Sequence, residues 1–117
     1  PLSNPHGKVL AGLITLSKFN IESATRYYLP GKSSFFVQLG DLDRAMVMNR
    51  VIVDNGKELV AINAHLSAYD KGGAVRKVQL GYIKSILEEE YAKGNYVVLG
   101  GDWNQQIPGT NGEFKSL

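Results

Sequence analysis

Between two runs rich in β-branched and apolar residues, Ala45 to Asp54 and Glu58 to Leu66, stands the pair Asn55-Gly56. Both central residues of a type I′ turn need positive φ, which Asn and Gly tolerate best, so the pair predicts an antiparallel hairpin. Read as a two-residue loop, the turn pairs Asp54 with Lys57 and fixes the register by counting back. Met46 then faces His65 and Arg44 faces Ser67. Side chains alternate along a strand, which places Asn63, His65 and Arg44 on one face. In that register Arg44 is one diagonal step from His65, roughly 7–8 Å between backbone positions.

Elements on either side of the hairpin follow from pattern. Pro1 to Gly7, with two prolines, reads as irregular, and Lys8 to Ser17 as an apolar strand bent at Gly12. Ser23 to Leu29 is a further strand, stopped by Pro30-Gly31, and Lys32 to Asp43 a connecting loop. After a cap and turn at Asp70 to Gly73, Val75, Val78, Tyr82 and Ile86, with Ile83 and Leu87, recur at helical spacing and predict a core-facing stripe. Glu88-Glu89-Glu90 reads as an exposed run near the helix end, where the dipole disfavours it slightly. Gly94-Asn95 stops the helix, and Tyr96 to Leu99 reads as a short buried strand ended by Gly100-Gly101. Strand, helix, strand in this order is mixed α/β structure.

Composition closes several routes. At 117 residues and 44% hydrophobic, the chain is one globular unit with enough apolar content for a core. No apolar run approaches the roughly 20 residues of a membrane-spanning helix. A net charge of +2 gives little support for extended nucleic-acid binding. Without cysteine there is no disulfide framework, thiolate metal site or Cys nucleophile, and the compartment stays open. The chain begins at Pro1 and reads as a piece of something longer.

Chemistry concentrates at two places. Gly100-Gly101-Asp102-Trp103-Asn104 follows a strand, and in extended backbone Asp102 and Asn104 point the same way. A carboxylate and an amide there can hold a water or metal beside a phosphoryl oxygen. On local grounds alone the same residues read equally as an Asp/Asn turn. His65 at a strand end can donate or accept a proton, and a structural histidine fits the same pattern. His65, Ser67 and Asp70 do not amount to an acyl-transfer triad, and Gly72-Gly73 lacks the rest of a nucleotide-binding fingerprint.

Taken in order, Asn63-Ala64-His65-Leu66, Arg76-Lys77-Val78-Gln79-Leu80 and Gly101-Asp102-Trp103-Asn104 resemble the "N-x-H-L", "R-x-x-Q-L" and "G-D-F-N" strings of the endonuclease/exonuclease/phosphatase superfamily. Gly12 to Lys18 is similar to an earlier strand of that family, and Trp103 departs from the usual Phe. The resemblance spans about residues 8–107. It implies part of a deoxyribonuclease I-like, two-sheet, four-layer α-β-β-α sandwich, with 1–117 as its central portion. A complete domain has roughly 250 residues, so flanking N- and C-terminal parts would be missing.

By the same resemblance the parent is a Mg²⁺- or Mn²⁺-dependent phosphoesterase hydrolase, related to deoxyribonuclease I, sphingomyelinases and inositol-polyphosphate 5-phosphatases. His65, Asp102 and Asn104 take the catalytic places, Arg44 and Asn63 are the phosphate-binding candidates, and Asp102 with Asn104 the metal-side candidates. Abasic-site endonucleases carry a tyrosine at the His65 place, which argues against that branch. The family's main metal-binding Glu lies upstream of this chain and its Asp-His pair downstream, so the isolated chain is expected to be inactive and to hold no metal. The alternative is a non-catalytic remnant that self-associates or binds a partner through an exposed sheet. DNA, RNA, phospholipid and inositol phosphate all stay open as substrates.

Overall fold

A computed structural model describes residues 12–31, 44–68 and 72–105. Its elements are β1 (Ser23–Tyr28), β2 (Ala45–Ile52), a 3-10 turn (Asp54–Gly56), β3 (Glu58–His65), α1 (Ala74–Ala92) and β4 (Tyr96–Asp102). They form one four-stranded sheet in the order β1-β2-β3-β4. The first two pairings are antiparallel and β3 with β4 is parallel. A parallel pair needs a long crossover, and α1 supplies it. Mixed α/β structure is therefore observed, as one sheet and one helix among the described residues. The expected irregular leader at Pro1 to Gly7, the Lys32 to Asp43 loop and the cap at Asp70 lie outside the described residues.

Alternation sorts the sheet. Met46, Met48, Val60, Ile62 and Ala64 face the helix and, with Leu29, Leu66 and Ile83, make the buried core. Tyr82, Ile86, Leu87, Val97, Leu99 and Trp103 pack around it. Of the expected helix stripe, Ile83 is buried and Tyr82, Ile86 and Leu87 pack on the core, while Val78 falls outside it. The buried positions of α1 are Gln79, Ile83 and Glu90, while Val78 is 55% exposed. Two polar residues, Gln79 with its partner Ser67 just past β3 and Glu90 with its partner Arg50 on β2, join the apolar stripe on the buried side. β4 also differs: Tyr96 and Val98 are exposed and Val97 and Leu99 half-buried, the signature of an edge strand covered on one face. The segment from Gly12 to Ser17 forms no strand, because none of the described residues pairs with it in a ladder; its Ile14 carbonyl accepts from Asn63 Nδ2 at 3.4 Å.

The hairpin forms where expected, with a different register. Asn55 (φ 73°) and Gly56 (φ 77°) both take the left-handed backbone that motivated the assignment. Asp54, however, joins them in the loop, and Val53 N donates to Lys57 O at 2.9 Å. The one extra loop residue shifts every pair, so that Met46 lies opposite Ala64 and Ile52 opposite Glu58.

At the end of the sheet where β3 begins, a polar cluster ties the helix down. Glu90, with a side chain only 4% exposed, accepts from both terminal nitrogens of Arg50 on β2. It also accepts from Asn95 Nδ2 at 2.9 Å and Lys93 Nζ at 3.3 Å. Asn95 in turn accepts from Glu58 N at 3.2 Å through Oδ1. The helix stops there in a Schellman arrangement, with Gly94 N on Tyr91 O and Asn95 N on Glu90 O. The expected exposed glutamate run is thus exposed at Glu88 and Glu89 only, and Glu90 is a buried ion-pair partner.

The Arg50 guanidinium holds the Glu90 carboxyl down at about 2, below its ordinary 4.5, against the opposing effect of burial. A carboxyl lowered in the folded state adds stability that is complete above its unfolded value and is lost as pH falls. Glu90→Gln should therefore lower stability by about 2–3 kcal/mol at neutral pH, since it leaves the Arg50 charge without its main partner. Chemical denaturation across the pH range should show the gap between wild type and variant closing from pH 4.5 down to about 2. A gap that stays constant over that window would contradict the ion-pair account.

Candidate functional site

At the opposite end of the sheet the parallel register sets His65 beside Asp102. His65 Nε2 lies 3.6 Å from Asp102 Oδ2, and the side chains are 37% and 62% exposed, so both are open to a ligand. Arg44, just before β2, brings Nη1 to 2.8 Å from His65 Nε2. The two do meet, but not by sharing a face. In the observed register Arg44 belongs by alternation with Met46 and Met48, while His65 belongs with Asn63 on the face turned from α1. Arg44 lies at the strand's start, where its long side chain can pass the sheet end. Guanidinium can only donate, so His65 Nε2 is the acceptor of this bond.

Asp102 and Asn104 are coupled twice. Asn104 N donates to Asp102 Oδ1 at 2.9 Å, the local turn that the sequence allowed. Asn104 also takes positive φ (47°), which Asn tolerates better than most residues. Its Nδ2 then crosses to β3 and donates to Leu66 O at 2.7 Å. Asn104 is thereby fixed to the residue that follows His65, with its carbonyl oxygen left as the group to offer a ligand. Asn63 stands apart: it is one row back, opposite Gly100, with Nδ2 on the Ile14 carbonyl. Arg44, His65, Asp102 and Asn104 gather at this end, and Asn63 does not join their contacts.

Gly101 makes the juxtaposition possible. It lies opposite Ala64 with φ 143°, and a Cβ there would overlap the Ala64 carbonyl. Only glycine lets β4 come this close to β3, and the next pair along is His65 with Asp102.

A clamp that sequence reasoning did not assign holds the other side. Gln79, 1% exposed, accepts from Ser67 N through Oε1 at 3.0 Å and donates Nε2 to Ser67 Oγ at 2.9 Å. Arg76 Nη1 donates to Ser67 O at 3.3 Å. Helix α1 thus grips the backbone two residues past His65. Arg76 and Gln79 stood in the "R-x-x-Q-L" string, but their partner could be found only from the fold.

No protein-family model matches the chain, and no curated protein matches it. Among solved structures, the catalytic domain of human Nocturnin, determined with a bound sulfate anion, is similar over 75% of this chain. The TM-score is 0.54 at 13% identity, and the match covers 31% of the Nocturnin chain. The likeness is one of fold, and this chain spans about a third of the Nocturnin chain.

Gln79→Ala should cost about 1–3 kcal/mol, because it leaves a buried backbone N–H without its acceptor. The Ser67 amide should be protected from hydrogen exchange in the wild type and should exchange much faster in the variant. Unchanged Ser67 protection would remove Gln79 from its role as the clamp.

Proposed function

We propose that this chain is the central part of a divalent-metal-dependent phosphoesterase, a hydrolase of phosphodiesters or phosphomonoesters, whose complete domain is a deoxyribonuclease I-like α-β-β-α sandwich. The observation that carries this reading is the gathering of Arg44, His65, Asp102 and Asn104 at one sheet end, in a fold similar to the Nocturnin catalytic domain. That the Nocturnin structure holds a sulfate is in keeping with an anion-binding end.

A phosphodiester resists water because its anionic oxygens repel the nucleophile and its leaving alkoxide is poor. Positioning and electrostatics supply most of the catalysis. In the proposed mechanism a phosphoryl oxygen draws Arg44 from His65, since a phosphate is a stronger acceptor for guanidinium than an imidazole nitrogen. His65 Nε2, released from that bond, takes up a proton from solvent and can then pass it to the departing oxygen. Asp102 aligns or deprotonates the attacking water, and Asn104, pinned to Leu66, holds it in place.

The described residues do not by themselves fit a metal. Among them no group of three His, Cys, Asp or Glu side chains is placed to hold one, and Asp102 with Asn104 offers one carboxylate and one amide. Mg²⁺ or Mn²⁺ belongs to the proposal only with ligands from further parts of the domain, and no step above is routed through it. A second reading, association with another copy or a partner, draws on the sheet face turned from α1, where Tyr96 and Val98 are 51% and 58% exposed. No helix among the described residues is long and apolar enough to cross a membrane.

The isolated 117-residue chain should hydrolyse bis-(p-nitrophenyl) phosphate barely above background with Mg²⁺. Robust turnover abolished by EDTA would show that the chain needs no further parts. In the complete domain, Asp102→Ala should lower kcat at least about a hundredfold with an unchanged melt. His65→Ala should cost a similar factor for poor leaving groups and much less for p-nitrophenolate. Near-normal kinetics in Asp102→Ala would defeat the mechanism, and an equal loss for both leaving groups would reduce His65 to phosphate binding.

A further inference from the structure

We infer that Tyr28 and Arg26 form a second subsite beside the phosphate end, one that takes the nucleobase of a nucleotide or single-stranded nucleic-acid substrate; the inference rests on the phosphoesterase reading. The register supplies the geometry. Tyr28 lies opposite Ala45, and continuing the β2–β3 register one step past Met46 and Ala64 sets Ala45 beside His65. His65 lies opposite Asp102. Residues opposite one another share a face, so these four make one row across the sheet, on the face turned from α1. Two strand spacings separate Tyr28 from His65, about 10 Å between backbone positions. Between them in the row lies the short side chain of Ala45, a residue 6% exposed.

The chemistry of the pair points to a flat ligand. Tyr28 is 64% exposed although it sits in a sheet. The Arg26 guanidinium lies 4.4 Å from the centre of its ring, and Arg26 Nη1 donates to Tyr28 Oη at 3.0 Å. This contact lays the guanidinium over one face of the ring. Unstacked bases bind on aromatic rings and on guanidinium planes, and they do so with little regard to sequence. A nucleotide carries its phosphate and its base on either side of one sugar, which suits a phosphate site and a stacking site in one row. An inositol ring or a glycerol headgroup offers no flat face to stack. A net charge of +2 fits one or a few nucleotides better than a tracked duplex.

The test titrates the 117-residue chain with uridine 5′-monophosphate, ribose 5-phosphate and inorganic phosphate, following binding by NMR. Uridine monophosphate should bind about tenfold more tightly than ribose 5-phosphate, the contribution of one stacked base. Tyr28→Leu and Tyr28→Ala should bring that ratio close to one, and Tyr28→Phe should keep most of it. If Tyr28→Ala does not fold, Tyr28→Leu decides. Equal binding of the two sugars' phosphates by the wild type, or a ratio that survives Tyr28→Leu, overturns the inference. Ribose 5-phosphate binding that His65→Gln weakens, with no gain from uracil, sinks this inference and leaves the phosphoesterase reading standing. Binding of none of the three probes sinks both.

Discussion

How closely β4 can approach β3 at Ala64 and Gly101 governs the end of the sheet that carries His65 and Asp102. The parallel ladder carries His65 and Asp102, far apart in sequence, to opposing positions. A side chain at Gly101 would push against the Ala64 backbone and part the strands one pair before the site. The crossover helix makes the parallel pairing possible, and the glycine makes it tight. Asn104 then closes the arrangement by reaching back to the Leu66 carbonyl.

Two polar clamps hold helix and sheet in that relation, one at each end. Glu90 with Arg50 and Asn95 fixes the end where β3 begins, and Gln79 with Ser67 fixes the end where β3 delivers His65. An apolar stripe alone would let a helix slide or rotate on a sheet at small cost. A buried side chain bonded in one geometry does not permit this, because misplacement leaves a desolvated polar atom unpaired. The phase of α1, with Val78 turned outward, follows from Gln79 and Glu90 facing in.

Much of this was legible in the sequence, and the misses have physical causes. The strand, helix, strand order and the hairpin at Asn55-Gly56 followed from pattern and turn chemistry. The register did not, because loop length depends on whether Asp54 pairs or turns, and an Asn-Gly pair is compatible with both. The Arg44–His65 meeting occurs by another route, since a long side chain at a strand's start escapes the alternation rule. Gln79 and Glu90 were missed as buried residues because a polar side chain is buried only when a distant partner exists, as Ser67 and Arg50 do here. The exposure of Tyr96 and Val98 could not be read from a short apolar run, which fits a central strand and an edge strand alike. Asp102 and Asn104 do form the local turn that their types favour, and the same turn presents them beside His65.

The account's central claim is that Arg44, His65, Asp102 and Asn104 make one site for a phosphoryl group. It is tested most directly by following the Arg44 guanidinium, the His65 ring nitrogens and the Asn104 side-chain amide individually by ¹⁵N NMR as inorganic phosphate is added. The account predicts that the Arg44 and His65 signals move together with a single dissociation constant. The backbone around Arg50 and Glu90 should stay still. Phosphate that leaves Arg44 and His65 undisturbed, or that shifts signals mainly at the other end of the sheet, would contradict it.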